Sequence, residues 1–310
     1  MSTSTPSRST ALALILAAAS WGIGTVVSKR ATTEIPPLTL LLIQLAASLV
    51  VLGLFMRWRR LPFRDPSSSP LLGRLGFLNP GLAYALSLLG LAHITASLSV
   101  LLWALEPVLI LFLAGWLLRE RITAPLVVLS LVAVTGMLLV IGQPDGSGSL
   151  LGIVLTIAGV ACCAIYTVGT RRWLETADST SQVLVAQQAH ALALACLLVG
   201  AAWLAGGAAL PAAVSPAGWV SAVASGILYY GVAYWLYLSG LRHVPASVAA
   251  VSFYLIPVFG VTAGFILLGE RLGPTQWVGV AIVFVAIYLI LRRNGALRLD
   301  LTEQPIRAEP

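Results

Sequence analysis

Charged side chains are scarce in this chain. Asp, Glu, Lys and Arg together make up 9% of its 310 residues, where a soluble domain carries roughly 25%. Too little polar surface remains to cover a globule in water, which makes lipid the natural solvent. Cysteine and histidine are also rare, three of each. Cys162, Cys163 and Cys196 lie inside apolar runs, with neither metal-ligand spacing nor an even extracellular set, and read as small buried hydrophobes. No metal or cofactor motif is present. Gly22-Ile23-Gly24 has a trace of a dinucleotide fingerprint, but no strand precedes it. Long loops are missing too: the longest, around 57–74, has fewer than 20 residues, so no separate catalytic domain fits. An enzyme would need a nucleophile, a base or metal ligands gathered at one depth; the sequence offers one mid-span carboxylate and scattered histidines, which argues against one.

Apolar length is what the chain has in excess, 59% of all residues. A bilayer-spanning helix needs roughly 20 largely apolar residues, and ten such runs are expected: 10–30, 37–57, 73–93, 95–118, 124–142, 150–171, 181–205, 217–241, 246–269 and 274–292. A β-barrel is excluded because stretches such as 98–118 are continuously apolar rather than alternating. The expected fold class is an all-α membrane protein. The first run imitates a signal peptide, with Arg8 ahead of it and Ala17-Ala18-Ala19 as a cleavage-like site.

A duplication argues that this run is retained. Residues 78–121 reappear 150 positions later without a gap, with 18 identities over 44 positions, among them Tyr84 with Tyr234, His93 with His243, Pro107 with Pro257 and Glu120 with Glu270. A shift of 142 matches Ile15, Ala19, Ile23, Thr25, Val26 and Arg30 to Ile157, Ala161, Ile165, Thr167, Val168 and Arg172. The expected organisation is a cytoplasmic N-terminus (1–9), a five-helix repeat (10–142), a periplasmic linker (143–149), a second five-helix repeat (150–292) and a disordered cytoplasmic tail (293–310). With the N-terminus inside, fifteen of the eighteen Lys and Arg residues fall on the cytoplasmic side, leaving Lys29, Arg30 and Arg271 outside. Five spans per repeat is an odd number, so the repeats are expected to be inverted. Topology accounts for the net charge of +7 and removes any need for a nucleic-acid partner.

Polar groups inside the spans carry the functional expectation. A carboxylate at mid-membrane costs at least ~2.5 kcal/mol, and Glu106, whose repeat partner is Ile256, is the one placed there. Ser99, Trp103 and Glu106 share one face of the fourth span; the matching stripe of the ninth is Ala249, Phe253 and Ile256. Glu106 either serves substrate or proton, or hydrogen-bonds Gln44, Gln187 or His190 as internal glue. Pro107 and Pro257 should break both helices at corresponding depths, which points to a midplane binding site and a gating hinge, or else to a packing kink. Tyr230, Tyr234 and Tyr237 form one face of the eighth span, and Trp21, Trp103, Tyr84 and Tyr166 also lie deep. They are either ordinary core or a pocket for a planar or amphipathic ligand. His190 is a further candidate. Gly260 and Gly264 serve either internal packing or a dimer interface.

Pro257-Val258, Leu267-Leu268-Gly269-Glu270-Arg271-Leu272, Gln276 and Gly279 resemble the EamA-type domain of the drug/metabolite transporter superfamily. Pro107-Val108, Leu117-Leu118-Arg119-Glu120-Arg121-Ile122 and Trp21-Gly22 repeat the likeness in the first half, with Arg119 where glycine is usual. The resemblance implies a ten-helix carrier in a bacterial inner membrane that exports small metabolites, most similar to amino-acid exporters, aromatic ones especially. The expected substrate-contacting residues are Trp21, Gln44, Tyr84, Ser99, Trp103, Glu106, Tyr166, His190, Tyr230 and Tyr234, in a monomer without cofactor whose partners are a small-molecule substrate and the bilayer. A multidrug or other metabolite carrier is the alternative, ahead of a channel or intramembrane enzyme. Glu120-Arg121 or Glu270-Arg271 is expected to close a helix end and order a loop.

Overall fold

The computed structural model describes residues 8–60, 70–117, 124–141, 149–174, 180–206, 213–241 and 251–302. They fold as helices, with no strand among the described residues. The helices are α1 (Arg8–Ala31), α2 (Pro37–Trp58), α3 (Pro70–His93), α4 (Ala96–Trp103), α5 (Glu106–Leu117), α6 (Ala124–Ile141), α7 (Leu150–Leu174), α8 (Thr180–Leu204), α9 (Pro216–Gly240), α10 (Ile256–Leu267) and α11 (Pro274–Thr302). Among the described residues six helices, α1, α2, α3, α7, α8 and α9, are long and apolar enough to cross a bilayer. Their starts follow local chemistry. Pro37 and Pro216 occupy first-turn positions whose N–H groups have no partner in any helix. Thr95, Ser149 and Ser215 accept hydrogen bonds from the N–H groups of Leu98, Gly152 and Gly218.

Irregular backbone occurs at positions related by the sequence repeat. The fourth expected span is two pieces: α4 ends at Trp103, Ala104 and Leu105 turn, and α5 restarts at Glu106-Pro107. Likewise a 3₁₀ stretch, Val251–Leu255, precedes the restart of α10 at Ile256-Pro257. A second pair was not expected. Helix α3 widens to a π-type turn over Leu78–Leu82, with Asn79 out of helical geometry at φ −145° and ψ 122°, and α9 widens over Ile227–Ala233. The signal was present in Asn79-Pro80-Gly81, since a mid-span proline removes a helical donor.

Packing follows the repeat as well. Helix α1 lies against α9 and α10, and its counterpart α7 lies against α3, α4 and α5; α2 packs on α9 as α8 packs on α3. Gly76 and Gly226, 150 positions apart, make close approaches in the last two of these pairs. A Cβ on Gly226 would lie 2.5 Å from the Gln44 carbonyl oxygen and 2.6 Å from its Cα, and one on Gly76 would collide with the Gln187 backbone. Gly260 faces Val100 and Gly264 faces Ser97 and Glu270, so both serve internal packing.

Two carboxylates cap helices of the opposite repeat at one end of the bundle. Glu270, after α10, accepts from the backbone N–H of Ala96 at 2.8 Å and of Ser97 at 3.0 Å, and from the Ser97 hydroxyl, closing the start of α4. Glu34, after α1, accepts from the Ser215 N–H at 2.7 Å and its hydroxyl at 2.8 Å, closing the start of α9. Negative charge at a helix N-terminus meets the positive end of the macrodipole. Beside them, Lys29 donates to the Leu91 carbonyl at 2.8 Å, covering the C-terminal end of α3. The helix-closing role expected of Glu270 is thus the observed one; Glu120 lies outside the described residues. Helix α11 continues to Thr302, past residue 292 where a disordered tail was expected to begin, because its Ala, Leu and Arg residues favour helix and no proline intervenes. Residues 303–310 lie outside the described residues.

Two measurements test this packing. Gly226→Ala should lower thermal stability in detergent by about 1–3 kcal/mol through overpacking. Gly200→Ala, where nothing lies within 4 Å of the new methyl, should leave stability unchanged or slightly raised. Hydrogen bonds from the Ser215 backbone and hydroxyl hold the Glu34 carboxyl below the usual carboxylate range. The cap is therefore fully formed above that range and is lost as pH falls through the lowered folded value. Amide exchange at Ser215 and Gly218, corrected for its intrinsic pH dependence, should show that acid step in the native chain and lack it in Glu34→Gln.

Candidate functional site

The irregular turns of α3, α9, α5 and α10 surround two adjoining cavities. Thr25, Tyr84, Trp103 and Tyr229 belong to the walls of both, so they form one narrowed cleft. The larger has a volume of about 40 Å³, room for a few water molecules. Its walls are assembled in repeat-related pairs. Trp21 and Cys163, and Thr25 and Thr167, are 142 positions apart; Asn79 and Tyr229, Tyr84 and Tyr234, Trp103 and Phe253, and Glu106 and Ile256 are 150 apart. Tyr166 and Tyr237 complete the fourteen described lining residues. Twelve of the fourteen thus come as partners, so the cleft belongs to both copies equally in position but not in chemistry.

Aromatic contacts organise it. Tyr84 stacks on Trp103 with centroids 5.4 Å apart and planes at 19°, and meets Tyr229 and Tyr230 edge-on at 5.1 and 5.2 Å. Trp21 meets Tyr234, Tyr237 and Phe253 edge-on at 5.3, 5.4 and 5.5 Å. The Tyr234 hydroxyl lies 2.9 Å from that of its repeat partner Tyr84 and 3.1 Å from Asn79 Oδ1. With one proton on each hydroxyl, Tyr84 donates to Tyr234 and Tyr234 donates to Asn79.

Glu106 belongs to the wall of this cage, 4% exposed, and Cys163 lines the same cavity. Among the described residues no Lys, Arg or His lines either cavity. The indole N–H of Trp21, also in the wall, is buried without a partner. The cleft therefore offers one carboxyl, one unpartnered donor, tyrosine hydroxyls and a large aromatic area. Rings with hydroxyl and N–H handles of this kind suit a planar or amphipathic ligand.

Of the residues expected at the site, Trp21, Tyr84, Trp103, Glu106, Tyr166 and Tyr234 line the larger cavity, and Ser99 and Tyr230 the smaller. Pro107 and Pro257 lie buried directly behind Glu106 and Ile256, where the helices restart. Two residues stand elsewhere. Gln44 donates to the Ser28 hydroxyl at 2.8 Å and the Ser225 hydroxyl at 2.7 Å, tying α1, α2 and α9 together. His190 packs edge-on against Phe77 at 5.1 Å, its Nδ1 2.8 Å from the Ala186 carbonyl. Gln187 accepts from the Tyr166 hydroxyl at 2.8 Å and donates to the Leu72 carbonyl at 3.1 Å, so it steadies the wall without joining it. Thr25, Asn79, Cys163, Thr167 and Tyr229 were missed. Thr25 with Thr167, and Asn79 with Tyr229, were findable as repeat partners at known depth; nothing marked Cys163 except its position opposite Trp21.

The sequence profile of the EamA-like transporter family matches this chain twice, over residues 8–142 and 150–292. An uncharacterized transporter of Archaeoglobus fulgidus is 25% identical over 289 residues, 91% of this chain and 99% of that protein. Protein PecM of Dickeya dadantii is 24% identical over 219 residues, 70% of this chain and 71% of its own length. A solved crystal structure superposes with a TM-score of 0.68 at 19% identity, covering 93% of this chain and 99% of the other, which is a likeness of fold.

The tyrosine pair is directly testable. A double-mutant cycle with Tyr84→Phe and Tyr234→Phe should give a coupling energy of about 0.5–1.5 kcal/mol in detergent stability. Tyr234→Phe alone should cost about 1–3 kcal/mol, because it leaves Asn79 Oδ1 buried without its donor.

Proposed function

The chain belongs to the EamA-like transporter family, and on that premise we propose that it exports amino acids, aromatic or hydrophobic ones foremost, and related metabolites. It is a multi-pass membrane transporter. We read it as ten spans in two inverted five-helix repeats, with both termini cytoplasmic, working as a monomer in a bacterial inner membrane. The distribution of basic residues supports the orientation, and the odd number of spans per repeat supports the inversion.

One observation carries the reading: a narrow aromatic cleft lined by repeat partners, with a single buried carboxyl among its described wall residues. Contact between repeat partners, as at Tyr84 and Tyr234, is what a pseudo-two-fold axis through the cleft produces. Helix breaks at matched positions leave both repeats able to hinge there. At about 40 Å³ the cleft holds no aromatic amino acid in this arrangement, so loading requires the walls to part. Rocking of one repeat against the other opens the cleft to each side in turn. Trp103, Tyr84, Tyr234 and Trp21 then hold the apolar body of the substrate, and Glu106 takes its ammonium group or carries a proton in exchange. A sugar-phosphate carrier would place cations in the walls, and the described wall residues include none.

Counterflow in proteoliposomes tests this. Preloaded unlabelled phenylalanine or tryptophan should drive saturable, protein-dependent uptake of the labelled amino acid. Absence of uptake, in protein competent with another solute, would remove the amino-acid assignment. In Glu106→Gln, whatever exchange remains should have lost its pH dependence if the carboxyl carries the coupling proton; an unchanged pH profile removes that role.

A further inference from the structure

The chemistry of the cleft narrows the cargo further, on the reading that the cleft is the substrate site. Among the described residues Glu106 is the one charged side chain in its walls, and no described Lys, Arg or His faces either cavity. Around it stand stacked and edge-on rings: Tyr84 on Trp103 at 5.4 Å, and Trp21 against Tyr234 and Phe253 at 5.3 and 5.5 Å. A ring face attracts a cation within about 6 Å of its centroid, more strongly when water is excluded. The buried carboxylate supplies the matching counter-charge.

Charge counting separates the possible cargoes. A monocation beside ionised Glu106 leaves the cleft neutral. A zwitterion leaves one net negative charge, and its carboxylate finds only neutral donors such as the unpartnered Trp21 N–H. An anion leaves two negative charges with no counter-ion. Every uncompensated charge is costly at this depth. We infer that the site reads an aromatic body and a positive nitrogen, and does not read a carboxylate. Arylalkylamines and similar lipophilic monocations are therefore cargo in their own right, and an amino acid is carried for its ring and ammonium group.

Three solutes of matched shape and different charge decide this on the native chain in proteoliposomes at pH 7. They are phenethyltrimethylammonium, phenylalanine and 3-phenylpropionate. The ammonium compound has a fixed charge and cannot leak across the bilayer by losing a proton. The expected result is counterflow with the ammonium at least as fast as with phenylalanine, none with the propionate, and a loss of at least about tenfold for the ammonium in Glu106→Gln. Phenylalanine exchange with an inert ammonium overturns this inference and leaves the amino-acid carrier standing. Ammonium exchange with inert phenylalanine supports it and removes amino acids from the cargo. Exchange driven by the propionate as strongly as by the ammonium overturns it, and silence from all three in folded, reconstituted protein overturns both readings.

Discussion

Lipid offers no hydrogen bonds, and the architecture of this protein follows from that one constraint. Backbone groups must be satisfied within helices, and whatever irregular backbone exists must face protein or an internal cavity. Here the widened turns of α3 and α9 and the restarts of α5 and α10 converge on the aromatic cleft rather than on the lipid-facing surface. Polar side chains obey the same rule. Gln44 joins the hydroxyls of two neighbouring helices, Gln188 donates to the Tyr230 carbonyl in the widened turn of α9, and Tyr84, Tyr234 and Asn79 close a chain of hydrogen bonds in the cleft wall.

Duplication supplies the geometry and divergence supplies the chemistry. Repeat partners occupy matched places in the wall, yet few pairs remain chemically alike. Thr25 with Thr167 and Tyr84 with Tyr234 are unchanged, Trp103 with Phe253 keeps only the aromatic character, and Glu106 with Ile256 opposes a carboxyl to a methyl-rich side chain. The cleft is thus symmetric in the placement of its walls and asymmetric in their chemistry. The capping carboxylates show the same trade at one end of the bundle. Glu270 reaches α4 and Glu34 reaches α9, each crossing to the other repeat from a different loop.

Much of the cleft was legible in the sequence because depth, face and repeat register are all periodic quantities. Leucine-rich runs mark which segments are apolar, and the i, i+4, i+7 spacing puts Ser99, Trp103 and Glu106 on one face. The 150-residue shift did more, since it made Pro107 and Pro257 meaningful as a pair. His190 and Gln44 fell outside that logic. A polar residue at the right depth faces either the cavity or a neighbouring helix, and the choice depends on the rotation of the helix about its axis. Close approaches at Gly76 and Gly226 set that rotation, and Gln44 and Gln187 then meet the helix across the contact.

By itself the sequence determined the solvent of this protein, its helical class, the duplication and the depth of its one mid-span carboxyl, because each is a one-dimensional property of composition or spacing. The tertiary structure alone decided which repeat partners meet, that Cys163 and Asn79 belong to the wall, that Glu270 caps α4 rather than its own repeat, and how narrow the cleft is. Those outcomes rest on contacts between segments far apart in the chain. They depend on helix rotation and on interhelical distances set by single glycines, and no local pattern encodes either.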